Sequence, residues 1–165
     1  MYEKFGEFNS VEELNMAAEG LLKEKDIKSL MELAKENGID NEDAEDYADG
    51  CMDVLATVTM AAFGKLKVEE EHEIEKIKNP MEKTALRVII TMLKGMCTEE
   101  SMAAAVMKKG KRVSAIFKGM KSGAEKHKNG NMGVACGTDR ELSEIIRAYY
   151  MESDKAFKDK IDSMY

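Results

Sequence analysis

The sequence predicts an all-α fold, a single-domain bundle of about seven to eight helices. Apolar residues recur at intervals of three and four positions along most of the chain, which places them on one face of an α-helix. Capping residues and glycines divide this pattern into segments of helical length. No segment shows the alternation of apolar and polar residues that a half-buried strand would have, so no sheet is expected.

The first three predicted helices lie in the acidic N-terminal part of the chain. Ser10, with Glu13 three residues later, predicts a capping box at the start of the first helix. The second helix is predicted to begin near Asp26 and to end at Gly38, because glycine readily adopts the left-handed conformation that terminates helices. A short acidic helix is predicted over residues 42–49.

The middle of the chain contains the helix that we expect to be the hub of the core. Residues 51–66 are rich in Ala, Val and Met, and the polar residues 67–78 predict an exposed helical segment or connector. Asn79 is the expected cap of the next helix, with Pro80 at the first position, where a missing N–H has no cost. Its apolar face covers about half the circumference, which predicts burial among several helices. That face comprises Leu86, Val88, Ile89, Ile90, Met92, Leu93, Met96 and Cys97.

The C-terminal part of the chain carries its own helix signals. Thr98 is expected to cap a helix that ends at Gly110, and residues 111–128 predict the helix that follows. Thr138 then predicts another capping box, with Glu141 as its acidic partner.

The last two segments of the pattern are a loop and a helix end. Residues 130–137 (GNMGVACG) have the composition of a loop. Residues 154–165 predict a final helix that frays at the terminus.

The length and charge of the chain bound its organisation. A chain of 165 residues is expected to be one helical domain over 1–165. We divide it into an acidic N-terminal half (1–79), core and basic helices (80–128) and C-terminal helices (138–165). Residues 1–53 contain 16 acidic and 5 basic side chains, whereas residues 101–130 contain 8 basic and 1 acidic. This bipolar distribution is the most informative global feature of the sequence.

The cysteines and the hydropathy predict a cytoplasmic protein that does not enter a membrane. Cys51, Cys97 and Cys136 are odd in number and far apart, which is not a disulfide framework and fits a reducing compartment. The start of the sequence lacks the apolar run of a signal peptide. No apolar stretch approaches the roughly 18 residues that a membrane-spanning helix needs.

An acidic segment, residues 30–47 (LMELAKENGIDNEDAEDY), has the spacing of a helix-turn-helix but not the chemistry of one that reads DNA. Small residues and a glycine fall where two helices would meet at a sharp turn. The second helix contains no base, so the phosphates of a duplex would repel it. Its acids are either an ordinary solvated face or a surface that imitates a nucleic-acid backbone and binds a basic partner. The acids of this predicted surface are Asp40, Glu42, Asp43, Glu45, Asp46 and Asp49.

The basic segment allows a similar choice between two interpretations. It is either a solvated surface that offsets the acidic half or a contact for RNA, DNA or an acidic protein groove. Lysine predominates over arginine and aromatic residues are not interleaved, so base-specific recognition is not expected. The residues of this predicted patch are Lys108, Lys109, Lys111, Arg112, Lys118 and Lys121.

No motif predicts catalysis or a cofactor. Glu69 and His72 have the Glu-x-x-His spacing of helical di-iron sites, but such a site needs a second copy. The other histidine, His127, has Ala124 at the position where a glutamate is required, so no metal site is expected. Glycine-rich phosphate loops are also missing. Two histidines and three cysteines allow a Cys–His pair in principle, but nothing in their spacing favours one, so the sequence predicts a non-enzymatic protein without a cofactor.

Three stretches of the sequence resemble a group of small proteins of unknown function. These stretches are residues 7–22 (EFNSVEELNMAAEGLL), 33–50 (LAKENGIDNEDAEDYADG) and 144–150 (EIIRAYY). The group is carried on plasmids, phages and integrative elements of Gram-positive gut anaerobes. The resemblance implies an accessory protein of a mobile element, a class in which anti-CRISPR proteins are similar in size and charge.

Together these features predict a protein that inhibits a host nucleic-acid-handling effector. The expected partner is a Cas nuclease or its guide RNA complex, with RNA contact through the basic patch as an additional expectation. The alternative is a nucleic-acid-binding regulator or conjugation accessory protein that uses the basic residues 108–128.

Overall fold

All regular structure in the computed structural model is helical over the residues that it describes, 2–128 and 137–165. These ranges contain nine α-helices and one π-helical segment, so the all-α class is confirmed and the helix count exceeds the predicted seven to eight. The elements are α1 (Val11–Lys23), α2 (Ile27–Glu36), α3 (Asn41–Ala48), α4 (Val58–Glu69), the π segment (Glu70–Ile74), α5 (Pro80–Met96), α6 (Glu100–Met107), α7 (Val113–Lys126), α8 (Asp139–Met151) and α9 (Asp154–Asp162).

Helix α4, rather than α5, is the helix buried on the most sides. It packs extensively against α6, and seven of its residues are buried, the polar Lys65 and Glu69 among them. Helix α5 buries only one stripe, which includes Leu86 and Ile90. The prediction that Val88 belongs to this apolar face is wrong, because its side chain is 47% exposed. The buried residues form one cluster with members from α1 through α9.

Most predicted helix starts are confirmed by side-chain hydrogen bonds. The Asp26 side chain accepts the Ser29 N–H at the start of α2, and the Asn79 side chain accepts two N–H groups at the start of α5. At α8 the capping box of Thr138 and Glu141 is complete. These bonds satisfy N–H groups that have no partner within the helix itself.

Two capping predictions need correction. Ser10 accepts the Glu13 N–H, but the Glu13 carboxylate accepts the N–H of Asn9 rather than that of Ser10. Thr98 does not cap α6, which begins one residue later than a Thr98 cap requires. Its hydroxyl instead donates to the carbonyl of Gly95, at the end of α5.

The polar residues 67–78 are only partly exposed, contrary to the prediction. Helix α4 continues through Glu69, and the π segment then brings Ile74 into the core. Val68 and Glu69 are buried as well, so the polar composition of this stretch concealed an inward-facing side.

The turn between α2 and α3 contacts the backbone of α4 directly. Gly38 ends α2 as predicted, with a φ of +70° that favours glycine. A β-carbon added to Gly38 would lie 2.3 Å from the carbonyl oxygen of Gly64, so the two glycines permit a backbone contact that no other residue pair would allow. This contact holds the α2–α3 turn against α4.

The two predictions for the C-terminal region have different outcomes. Of the predicted loop 130–137, residues 130–136 lie outside the described residues. The predicted final helix is present as α9, whose Phe157 and Ile161 pack against Gly119 and Gly123 of α7. Among the helices of residues 2–128 and 137–165, none combines the length and the hydropathy that a membrane-spanning helix requires.

Candidate functional site

Helix α3 presents its acidic side chains to solvent because its apolar side is anchored in the core. Ala44 and Tyr47 are buried, which turns the remaining positions of this short helix outward. Asp40 forms an ion pair with Lys67, with 2.7 Å between Oδ1 and Nζ. Within residues 2–128 and 137–165, the other five predicted acids form no ion pair and no side-chain hydrogen bond. These five are Glu42, Asp43, Glu45, Asp46 and Asp49.

A cleft of about 270 Å³ lies beside α3, between the α2–α3 turn and α4. Two of the predicted acids, Asp40 and Asp43, line its rim on the α3 side, and Lys67 and Lys94 line the opposite side. The rest of its lining is Gly38, Ile39, Met60, Phe63 and Gly64.

The six predicted basic residues do not act as one patch. Lys108, Lys109, Lys118 and Lys121 are exposed and form no ion pair with another residue that the structure describes. Lys111 turns toward α8, where its ammonium group donates to the Tyr149 carbonyl at 2.7 Å and lies 4.4 Å from the centre of the Tyr149 ring.

Arg112 points inward and joins an ionic cluster that the sequence did not reveal. Its guanidinium binds both carboxylate oxygens of Glu7, at 2.6 and 2.9 Å. It also lies 3.4 Å from Glu73 and 3.9 Å from Glu69. Because its charge is used inside the fold, Arg112 contributes little to any external basic surface.

Lys65 of α4 is the other cation of this buried cluster, and only 3% of its side chain is exposed. Its ammonium group has three acceptors: Glu7 at 2.9 Å, the Lys108 carbonyl at 2.7 Å and the Met107 carbonyl at 3.4 Å. Three acceptors match the three N–H donors of an ammonium group. Burial lowers the pKa of Lys65, although the neighbouring Glu7 acts in the opposite direction.

Glu7 is the anion at the centre of the cluster. Besides the two cations, it accepts the backbone N–H of Gly110, at 3.3 and 3.2 Å from its two oxygens. Burial alone would raise the pKa of Glu7, but the hydrogen bonds and charges of Arg112 and Lys65 outweigh burial and lower it to about 2. Glu7 therefore joins the N-terminal segment, α4 and the loop before α7.

Glu69 is the least solvated carboxylate of the cluster, with 1% of its side chain exposed. Its Oε2 accepts the Val113 N–H at 2.9 Å, so a residue of α4 caps the first turn of α7. Its Oε1 is buried and has no hydrogen-bond partner among the described residues. Burial, only partly offset by the Val113 bond and by the nearby cations, raises the pKa of Glu69 to about 7.

Glu69→Gln should therefore change how stability depends on pH. A carboxyl group with a raised pKa in the folded state stabilises fully below its unfolded pKa of 4.5, and this contribution is lost as the pH rises through about 7. Glutamine does not titrate and still accepts the Val113 N–H. Relative to the wild type, the free energy of unfolding of the variant should therefore rise by about 2 kcal/mol as the pH is raised from roughly 5 to 8.

Urea denaturation across this pH range measures the difference. Glu71→Gln, which removes an exposed carboxylate from the π segment, is the matched control and should follow the wild type. Parallel pH profiles of Glu69→Gln and wild type would show that Glu69 is ionised throughout.

The metal and thiol chemistry considered from the sequence has no assembled site in the described residues. His72 is exposed and lies beside Glu71 on a cleft that also involves α2. In ranges 2–128 and 137–165, no group of three or more His, Cys, Asp or Glu side chains is arranged to hold a metal ion. Cys51 is exposed, whereas Cys97 is buried and burial raises the pKa of its thiol to about 11.

Comparison with known proteins gives no assignment. The chain matches no protein-family model, no curated protein and no solved structure.

Proposed function

We propose that this chain is a non-enzymatic binding protein whose acidic helix α3 engages a basic surface of a nucleic-acid-handling effector. The observation that carries the proposal is that five of the α3 acids form no ion pair within the described chain. Most of the other charged groups near the core are paired, Arg112 with Glu7 and Lys65 with Glu7 among them. An acidic surface left without internal cations is complementary to a cationic partner.

The density of charge on α3 is of the same order as that of a nucleic acid. Helix α3 has 8 residues and is therefore roughly 12 Å long, and the five acids along or just beyond it give one charge per roughly 2.4 Å. Duplex DNA carries one phosphate charge per ~1.7 Å of its axis. A channel of lysine and arginine that normally holds guide or target would attract both, with an affinity that falls as salt rises.

The effector class follows from the resemblance to accessory proteins of mobile elements. Such elements benefit from blocking the nucleases that cut them, so we propose a guide-loaded Cas nuclease as the partner and the bacterial cytoplasm as the place of action. The chain would thus be an anti-CRISPR protein that acts by occupying a nucleic-acid channel.

A cleavage assay with a panel of guide-loaded Cas effectors tests this proposal. The key variant neutralises all six predicted acids, Asp40, Glu42, Asp43, Glu45, Asp46 and Asp49, as Asn or Gln. Its matched control neutralises six exposed acids elsewhere, which changes the net charge equally. These control acids are Glu24, Asp53, Glu71, Glu125, Glu152 and Asp159.

We expect inhibition and pull-down by the wild type and by the control variant, and a loss of at least about tenfold in the α3 variant because several charge contacts disappear together. Inhibition that is equal in the two variants contradicts the role of α3. A wild type that inhibits no effector contradicts the Cas assignment.

The second candidate function is nucleic-acid binding by the basic residues. It is favoured by the exposure of Lys108, Lys109, Lys118 and Lys121, and it is weakened by the internal roles of Lys111 and Arg112. Gel shifts of the wild-type protein with RNA and DNA at low salt separate the two candidates. Only the second function requires that the protein form a complex with nucleic acid under these conditions.

A further inference from the structure

The cleft beside α3 has an apolar floor that is open to solvent. Ile39, Met60 and Phe63 form this floor, and 37% of Phe63 is exposed. The backbone of Gly38 and Gly64, which touch each other between the α2–α3 turn and α4, also lines the cleft. At about 270 Å³ the cleft lies at the lower end of the roughly 300–1,000 Å³ of typical small-molecule sites, and because it is open to solvent it can admit a side chain that a protein partner presents.

Of the four charged residues that line this cleft, Asp43 is the one without an ion pair to the described parts of the chain. Lys67 is neutralised by Asp40 at 2.7 Å, and Lys94 lies 3.7 Å from Glu70. Asp43 is half-buried at the rim and has no ion pair and no side-chain hydrogen bond to any part of the chain that the structure describes. The cleft therefore combines an exposed aromatic ring with an unpaired negative charge.

We propose that this cleft binds an arginine side chain from a basic segment of the partner protein. The guanidinium pairs with Asp43, and the flat group and its aliphatic stem lie on Phe63 and Met60. Arginine fits better than lysine, because its planar and weakly hydrated cation stacks on aromatic rings. This inference rests on the proposed function, since it adds a specific anchor to the general attraction of the α3 acids.

Two labelled peptides of equal length and charge, one alternating Arg and Gly and the other Lys and Gly, are the probes. Binding to the full chain is measured by fluorescence anisotropy at low salt. Asp43→Asn removes the unpaired carboxylate, and Phe63→Leu keeps an apolar floor but removes the ring. Glu45→Gln is the matched control, an exposed acid of α3 that does not line the cleft.

We expect the wild type to prefer the arginine peptide by about three- to fivefold, the upper part of the range of an exposed cation–π contact, because lysine can form the same ion pair with Asp43 but stacks less well on Phe63. Phe63→Leu should reduce this preference to about twofold or less, and Asp43→Asn should weaken arginine-peptide binding more than Glu45→Gln does. In amide NMR spectra the arginine peptide should shift the signals of Gly38 and Gly64, and leave that of Gly20 on α1 unchanged.

The outcomes separate this inference from the proposed function. Equal binding of the two peptides, lost when all six α3 acids are neutralised, overturns the arginine site and leaves the general role of α3 standing. The inference also fails if Asp43→Asn and Glu45→Gln weaken binding equally, or if the signals of Gly38 and Gly64 do not move. A wild type that binds neither peptide at low salt overturns both proposals.

Discussion

Glu7→Gln is expected to lower the free energy of unfolding by about 3 kcal/mol at neutral pH. The substitution removes the anion that serves both Lys65, only 3% exposed, and the guanidinium of Arg112. Removing one partner of a buried ion pair is costly because the remaining charge keeps its desolvation penalty without the compensating attraction. The lowered pKa of Glu7, about 2 against an ordinary 4.5, indicates a stabilisation of the same order.

The contribution of Glu7 to stability changes with pH in the opposite direction to that of Glu69. Because the pKa of Glu7 is lowered by folding, its contribution is present above 4.5 and is lost as the pH falls through about 2. The destabilisation by Glu7→Gln should therefore be full at neutral pH and shrink in strong acid. Urea denaturation at several pH values measures this, with the exposed Glu3→Gln as a control that should stay within roughly 0.5 kcal/mol of the wild type.

The double variant Glu7→Gln with Glu69→Gln sharpens this prediction. Without Glu7, an ionised Glu69 partly balances Lys65 and Arg112, which lessens the loss in the single variant. Without both carboxylates, Glu73 is the remaining acidic member of the cluster. The free energy of unfolding of the double variant should therefore be lower than the sum of the two single changes predicts. A cost below about 1 kcal/mol for Glu7→Gln would mean that the cluster contributes no more than a surface ion pair.

The sequence predicted those features of this fold that depend on local spacing. Asp26, Asn79 and Thr138 act as caps because a side chain and the N–H groups it accepts lie within three residues of each other. The acids of α3 are likewise neighbours in sequence, so their concentration was evident from the sequence. Whether such a surface remains unpaired is a tertiary property, and the ion pair of Asp40 with Lys67 could not be inferred from spacing.

The buried ionic cluster could not be predicted because its members are far apart in sequence. Glu7, Lys65 and Arg112 come from three distant segments that only the packing of α4 brings together. The available local signal is Lys65 and Glu69, four residues apart where the apolar-rich residues 51–66 give way to the polar residues 67–78. This spacing is also typical of a solvated helix face. The same ambiguity applies to Arg112, because its lysine-rich neighbours in the sequence indicate an external basic patch.

Gly64→Ala is expected to lower the free energy of unfolding by about 3 kcal/mol, at the upper end of the cost of overpacking. A β-carbon on Gly64 would lie 2.2 Å from the carbonyl oxygen of Asn37, a distance that such atoms do not adopt. The obstacle is backbone, so no side chain can rotate away. Asn37 is itself buried, and its amide donates to the Leu33 carbonyl at 2.9 Å, which leaves the turn little freedom to move.

The matched control is Gly20→Ala, a change of the same chemistry on an exposed part of α1. Nothing lies within 4 Å of an added β-carbon there, so the variant should gain roughly 0.5–1 kcal/mol from the better helix propensity of alanine. Opposite signs for the same substitution in two helices would isolate the contact between α4 and the α2–α3 turn. Chemical denaturation followed by circular dichroism measures both free energies.

Gly38→Ala tests the same contact from the other side. It should lower the free energy of unfolding at least as much as Gly64→Ala does, because alanine must adopt a φ of +70° and also clashes with the Gly64 carbonyl.

The double variant Gly38→Ala with Gly64→Ala should lose less stability than the sum of the two single variants, since one separation of the turn from α4 relieves both clashes. Additive costs would mean that each glycine is needed for a separate reason. A tolerated Gly64→Ala would mean that the α2–α3 turn is not held tightly against α4. Asp43 of α3 and Phe63 of α4 line the same cleft from the two sides of this contact. A Gly64→Ala protein that still folds should therefore lose the proposed preference for the arginine peptide while it keeps the general attraction of the α3 acids.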